Sequence, residues 1–343
     1  MHLRKILLAV GVISLLVAGF AWKYYNDIFD NNIRSTVADY ELLIEEGQSF
    51  DTLFHRLKKD DILIKTGAFK RVAGLMNYVK KTIPGGRYVI SYPLSNRALI
   101  SKLRGGWQDP VNITINNVRN IEELSGKLAR NIVLDSLTIL TGLQGIIENV
   151  DSISSDNIMT YFIPNTYQVY WNISFEKLWD RMLKEYRTYW SDSDRKDLLQ
   201  KLNLLPAEVY TLASIVEKET NVQEEKNTIA GVYLNRLRRG IKLQADPTVV
   251  FATGNYRLKR IRHKHLLTDS PFNTYKNKGL PPGPICMPSL KTLKAVLNAQ
   301  DHDYIFFCAE PGYQGRHAFA KTLKGHNNNA RTYRKWLNSE GIK

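Results

Sequence analysis

The chain has 343 residues, 43% hydrophobic and 24% charged, with a formal net charge of +15 at pH 7. That length allows two domains, or one domain with a small appendage. The positive charge calls for an acidic polymer or an anionic lipid surface as partner, or else reflects a solvated basic face with no ligand. Nucleic acid is the default reading of such charge in the cytoplasm, but no zinc-finger, RRM or helix-turn-helix signature is present.

The N-terminus reads as a membrane anchor. Residues 1–5 are short and basic (His2, Arg4, Lys5), and Ile6–Trp22 carries no charge. At about 1.5 Å per residue that run rises roughly 25 Å, enough for a short spanning helix. The basic start keeps the N-terminus in the cytoplasm, while Trp22, Tyr24 and Tyr25 suit an interfacial belt on the far side. A cleavable signal peptide is the competing reading, although no small-x-small site precedes the aromatic cluster. An exported, anchored domain removes nucleic acid as a partner.

Residues 27–36 are polar and read as a linker. Tyr40–Ile44 is strand-like, Phe50, Leu53, Phe54 and Leu57 mark a helix, and Phe69–Val79 a second one. A strand over Arg87–Ser91 and a helix from Leu94 to Leu103, closed by Gly105-Gly106, complete a β-α-α-β-α unit. Val111–Ile115 alternates as a strand and Glu122–Ile132 resumes a helix. Residues 135–157 form a helical connection, YFIPNTYQVYW gathers aromatic residues around Pro164, and Ser174–Leu202 reads as one amphipathic helix.

Thr211–Thr220 (TLASIVEKET) is the most informative stretch. Val209, Leu212, Ile215 and Val216 trace one apolar stripe, and Glu219 falls in its middle, at i+3 and i+4 from Val216 and Ile215. Glu217 lies about 200° away around the helix, so the two acids cannot face one cleft. A carboxyl group on an apolar face has its charge disfavoured and its pKa raised, the condition for a general acid near neutral pH. Pairing with a cation, or capping a helix, is the plain alternative for Glu219. A further helix follows with Ile229, Val232, Tyr233 and Leu237 on its apolar face, ended by Gly240. Leu243–Thr248 reads as a polar turn presenting Gln244 and Asp246, with Asp246 before Pro247 equally a turn-former. Asn273, Thr274 and Tyr275 precede the rigid Gly279-Leu280-Pro281-Pro282-Gly283-Pro284 loop and offer the hydrogen bonds and flat surface a sugar ring needs. A strand at Tyr304–Phe307 is followed by Gly315–Phe319 and His326-Asn327.

Taken together, ASIVEKET, LNRL (Leu234–Leu237), LQADPTV (Leu243–Val249), NTY (Asn273–Tyr275), GLPPGPI (Gly279–Ile285) and the closing HxF and HN resemble the endolytic murein transglycosylase (YceG-like) family. Residues around Gly86-Arg87-Tyr88 and Gly105 resemble the LysM-like subdomain of such proteins. The chain departs from the family pattern at Asn165, where an acidic residue is usual, and at Asn116–Arg119, where a Pro-Glu-Gly turn is usual. The resemblance implies an α+β protein: a cytoplasmic N-terminus (1–5), a transmembrane helix (6–22), a linker (23–39), a small LysM-like α/β subdomain (40–106), a connecting region (107–160) and a mixed α+β catalytic domain (161–343). It implies a lytic transglycosylase with Glu219 as catalytic acid, the Glu219-Thr220 pair resembling the Glu-Ser pair of other lytic transglycosylases. Glu217, Asn235, Gln244, Asp246, Asn273, Thr274 and Tyr275 are then the substrate-binding candidates. Peptidoglycan glycan strands at a bacterial inner membrane, with the catalytic domain on the periplasmic side and cell-wall synthesis enzymes nearby, are the implied partners.

Neither a cofactor nor a metal is expected, because His263 and His265 sit among Arg257, Lys259, Arg260, Arg262 and Lys264, which repel a divalent cation. The cysteines, Cys286 and Cys308, lie in apolar runs where a buried free thiol is usual, and their pairing stays open. A non-catalytic peptidoglycan-binding scaffold and a lysozyme-type hydrolase are the alternatives. A lone acid favours the lytic enzyme, since hydrolytic glycosidases generally need a second carboxylate.

Overall fold

The computed structural model describes residues 2–258, 260–312 and 314–341, so Lys259 of the basic cluster lies outside the described residues. The fold is mixed α+β, mostly helical, and divides into two compact units. The first comprises Met1–Asn112 with Asn131–Val133 and Gln168–Ile173; the second comprises Ile113–Arg130, Leu134–Tyr167 and Ser174–Lys343.

The first unit opens with a single helix, α1 (His2–Phe29), whose Leu3–Phe29 stretch is long and apolar enough to cross a membrane. Its apolar side chains, Leu7, Ile13 and Leu16 among them, are exposed, as a lipid-facing helix requires. The order that follows is the one the hydrophobic pattern suggested: β1 (Tyr40–Ile44), α2 (Phe50–Lys59), α3 (Thr66–Leu75), β2 (Gly86–Ile90) and α4 (Asn96–Arg104). β1 and β2 pair antiparallel, Tyr40 opposite Ile90 and Ile44 opposite Gly86, over a core of Leu42, Phe50, Leu57, Phe69, Tyr88 and Leu99.

The residues expected as a polar linker are not free. Asp27 is buried and ion-paired to Arg71 at 2.6 Å, and its carbonyl accepts a bond from the Asn96 amide at 2.7 Å. Asn32 is buried against Asn96 at 2.7 Å, and Ile33 joins the core opposite Leu63. Polar composition marked this segment as solvated, but its polar groups are spent on partners far along the chain, which no local pattern reveals.

The second unit contains β3 (Val111–Ile115, from Ile113), α5 (Ile121–Leu128) and α6 (Ser136–Asn149), then β4 (Asn165–Val169, to Tyr167). β3 and β4 are hydrogen-bonded neighbours, and the Thr114 and Thr166 hydroxyls meet at 2.9 Å. The run expected as one helix over Ser174–Leu202 is two, α7 (Phe175–Ser191) and α8 (Ser193–Leu202). Asp192 is extended between them and its carboxylate accepts from the Arg195 amide at 3.2 Å, capping the second helix.

Next come α9 (Pro206–Glu219), α10 (Lys226–Arg238), α11 (Asp246–Thr253), α12 (His263–Leu266) and α13 (Leu290–Leu297). The unit closes with a hairpin, β5 (Phe306–Ala309) and β6 (His317–Ala320), and a long helix, α14 (Leu323–Ser339), which the polar sequence there did not suggest. α9 is the axis of this unit. Every residue from Val209 to Val216 is buried, and the helix packs against α10, α11 and α13.

Candidate active site

The position of Glu219 follows from how α9 stops. Thr220 is extended (φ −144°, ψ 143°), and its hydroxyl accepts from the Val222 amide at 3.0 Å, a local turn that competes with another helical residue. Glu219 is therefore the last helical residue. It opens into a cleft of about 790 Å³ lined also by Arg119, Lys218, Asp246, Phe251, Tyr256 and Arg260.

One oxygen of Glu219 is already committed: the Tyr233 hydroxyl of α10 donates to Oε1 at 2.5 Å. Burial is the dominant influence on the Glu219 carboxyl and raises its pKa to about 7; the Tyr233 bond and Arg236 pull the other way, and the negative charge of Asp246 adds to the rise. The carbonyl end of α9 disfavours the anion as well. Glu219 thus keeps a substantial protonated fraction in neutral solution, with Oε2 left to carry the proton.

Asp246 is the second carboxylate of the cleft. It starts α11 beside Pro247, at the positive end of a helix dipole, and accepts from the Tyr275 hydroxyl at 2.6 Å. The sequence LQADPT is helical from Asp246 onward rather than a plain turn, because proline fits the first turn of a helix. Two acids therefore share one site, each holding a tyrosine hydroxyl, and the lone-acid expectation does not survive.

Arg236 is buried and holds three segments together. Its Nε donates to the Ile305 carbonyl at 2.7 Å and its Nη1 to the Leu243 carbonyl at 2.6 Å, while the guanidinium lies over the Phe306 ring. Burial lowers its pKa from the usual arginine value. Neither Tyr233 nor Arg236 stands out in the sequence as more than a helix-face residue and a motif letter. Their spacing of three on an otherwise apolar face was the available signal.

Residues 42–332 match the model of the YceG-like family. The chain belongs to that family. It is 29% identical over 335 residues to an endolytic murein transglycosylase of Bacillus subtilis, across 91% of this chain and 89% of the relative. A protein of the same name from Streptococcus pneumoniae is 26% identical over 369 residues, and this chain spans 65% of its length. A crystal structure of a YceG-like protein from Listeria monocytogenes aligns with a TM-score of 0.53 at 26% identity, over 84% of this chain and 98% of that one.

The other candidates of this YceG-like protein divide sharply. Glu217 faces away from the cleft. Its Oε2 accepts from Lys226 at 2.9 Å, from Ser289 at 3.1 Å and from the Thr292 hydroxyl. Burial opposes its charge, but those donors prevail and hold its pKa below the usual carboxylate value. Asn235 is buried away from the acid, its amide donating to the His302 and Tyr304 carbonyls. Asn273 is fully buried: its amide donates to the Leu266 and Thr268 carbonyls, and its oxygen accepts from the Tyr275 amide at 3.0 Å. Thr274 accepts from the Ala245 amide at 3.0 Å and meets the Thr248 hydroxyl at 2.8 Å.

Asn235, Asn273 and Thr274 thus have their polar atoms on protein partners; Asn235 ties α10 to the 302–304 segment, while Asn273 and Thr274 position the segments that carry Tyr275 and Asp246. Gln244 is exposed in the left-handed region (φ 52°), tied to Thr274 by its amide at 3.2 Å. The rigid loop is fixed at Gly283, where a Cβ would stand 1.8 Å from the Asp156 carbonyl oxygen, and at Ile285, whose amide donates to Ser214 of α9 at 3.0 Å. Among the described residues no group of three or more His, Cys, Asp or Glu could hold a metal ion, and both cysteines are free thiols. Cleft residues that sequence reasoning did not name as site residues are Arg119, Lys218, Phe251, Tyr256, Arg260 and Tyr333.

Proposed function

We propose that this YceG-like protein is an endolytic lytic transglycosylase of peptidoglycan. It cuts the β-1,4 bond between N-acetylmuramic acid and N-acetylglucosamine within glycan strands, leaves 1,6-anhydromuramoyl ends, and so ends strand elongation. The observation that carries this reading is Glu219, a carboxylic acid kept protonated by burial at a cleft wall. The relatives' shared name, endolytic murein transglycosylase, supports the same activity.

Oε2 of Glu219 gives its proton to the glycosidic oxygen as the C1–O bond breaks. Positive charge develops at C1, and the Asp246 anion in the same cleft stabilises it. The muramoyl C6 hydroxyl then attacks C1 and passes its proton to the Glu219 carboxylate, which restores the acid with no water consumed. Tyr233 keeps Oε1 occupied, so one oxygen does both transfers.

Asp246 also supports a second reading, a hydrolase in which it activates water or attacks C1. Mass spectrometry of products from purified sacculi separates the two: anhydro ends for the lyase, reducing ends for the hydrolase. Binding without any product would leave a glycan-binding scaffold. In this reading α1 is a single-pass anchor in the bacterial cell membrane, the second unit works on the extracytoplasmic side, the first unit binds glycan in the manner of a LysM module, and cell-wall synthesis enzymes are neighbours.

A further inference from the structure

The cleft carries more positive charge than a neutral sugar chain explains. We propose that its Arg119, Lys218 and Arg260 side binds free carboxylates of the peptide stem on a muramoyl residue, so that the enzyme favours stem-bearing over stripped glycan. This rests on the transglycosylase reading and names the substrate feature that the same site selects.

Glu219 and Asp246 mark where the bond breaks. The influences on Glu219 are its burial and Tyr233, Asp246 and Arg236. Arg119 and Lys218 act on the Cys286 thiol, next in sequence to the cleft residue Ile285. Arg119, Lys218 and Arg260 line the same cleft as Glu219 and Asp246 without being paired to either acid in the hydrogen bonds that hold those two. Sugar hydroxyls and acetamides are uncharged and give cations there nothing to pair with.

A muramoyl residue offers anions in two ways. Stripped of its peptide, it bears a lactyl carboxylate on the ring itself, close to the bond being cut. With its peptide attached, that carboxyl is an amide, and the anions belong to acidic residues and to the peptide's C-terminus. At about 3.3 Å per residue, a stem of a few residues reaches some 10 Å or more from the ring. A cleft of about 790 Å³, near the upper end of the 300–1,000 Å³ usual for a ligand site, has room for ring and stem together.

Arg119 is built for this use. Its guanidinium lies 4.9 Å over the Tyr256 ring, which fixes the fork that carboxylates bind bidentately. Its ion pair with Glu123 is long, 3.7 Å, and solvated on both sides, so an incoming carboxylate displaces little. Tyr256, Phe251 and Tyr333 add apolar surface for the peptide's carbon chain.

The test uses the full-length protein and two probes: an uncross-linked glycan polymer with intact stems, and the same polymer stripped by an amidase. The kcat/KM ratio of intact to stripped polymer is expected to be about tenfold in the wild type, the scale of two partly solvated charge pairs. In Arg119→Gln/Arg260→Gln the ratio should fall close to one, and Arg119→Lys/Arg260→Lys should keep most of it. A wild-type ratio at or below one, or a ratio unchanged in the glutamine variant, overturns the proposal. If both polymers are cut equally, only this inference fails; if neither is cut, the transglycosylase reading fails. Affinity of the Glu219→Gln protein for the two polymers, measured in parallel, decides the stem preference without turnover: tighter binding of the intact polymer supports it, and equal binding overturns it.

Discussion

Two faces of one helix hold the two acids of the ASIVEKET motif in opposite states. On the cleft face, Glu219 sits at the carbonyl end of α9 with one phenol donating to it, and burial wins. On the far face, Glu217 is less deeply buried and meets an ammonium and two hydroxyls, and there the donors win. Residue type and helix are constant, so the difference lies in depth of burial and in how many donors converge on the carboxylate. Three donors on a partly buried carboxylate keep it an anion; one phenol on a fully buried one leaves its pKa raised.

The largest expected effect separates the faces by activity. Glu219→Gln should lose about 10²–10⁴-fold or more in kcat while keeping its fold, since no other group delivers that proton. Glu217→Gln should stay within about tenfold of the wild type, and its loss should appear as a lower melting temperature, because Lys226 is left buried with a weaker partner. Initial rates of anhydro-product release and thermal melts of both variants check this. A dead Glu217→Gln and an active Glu219→Gln would reverse the assignment.

The pH dependence of stability should differ in sign between the faces. The Glu219 pKa is raised in the fold, from 4.5 to about 7, so its favourable contribution is full below about 4.5 and is lost as pH rises through 7. The loss is on the order of 3 kcal/mol for a shift of that size. The Glu217 pKa is lowered, so its contribution is present above the ordinary carboxylate value and lost as pH falls through the folded one. Denaturant midpoints between pH 3 and 8 should therefore flatten on the neutral side in Glu219→Gln and on the acid side in Glu217→Gln. Parallel curves for all three proteins would break the comparison.

A smaller effect sharpens it. Tyr233→Phe removes the phenol donor to Glu219 and so should move the alkaline limb of the rate upward from pH 7, with the enzyme still active. A limb that stays in place or moves down would mean Tyr233 does not govern the acid. The smallest expected effect is none: chelation by EDTA should leave the rate unchanged, and loss of activity restored by zinc would reopen the His263–His265 pair.

Much of this was legible in the sequence because it is local. Helix period placed Glu219 on the buried stripe and Glu217 off it, and Gly240 adopts the left-handed conformation (φ 63°) that a helix-ending glycine permits. What was missed depends on partners distant in the chain. Asp27 looked solvated until Arg71 and Asn96 met it, and Asn273 looked like a sugar ligand until three backbone groups claimed it. Asp246 was legible as a residue but not as the neighbour of Glu219, since only the clamp of Thr274 on Ala245 and Thr248 brings α11 there.

The burial of Asp27 has a mechanical consequence. A helix that runs unbroken from its apolar stretch to a buried ion pair has no joint at its exit, so α1 and the fold around α3 and α4 behave as one lever. Tilting or twisting the apolar end therefore swings the folded end with it. For the membrane-anchored form proposed above, a change in lipid thickness, which such helices answer by tilting, would become a change in how the first unit is aimed.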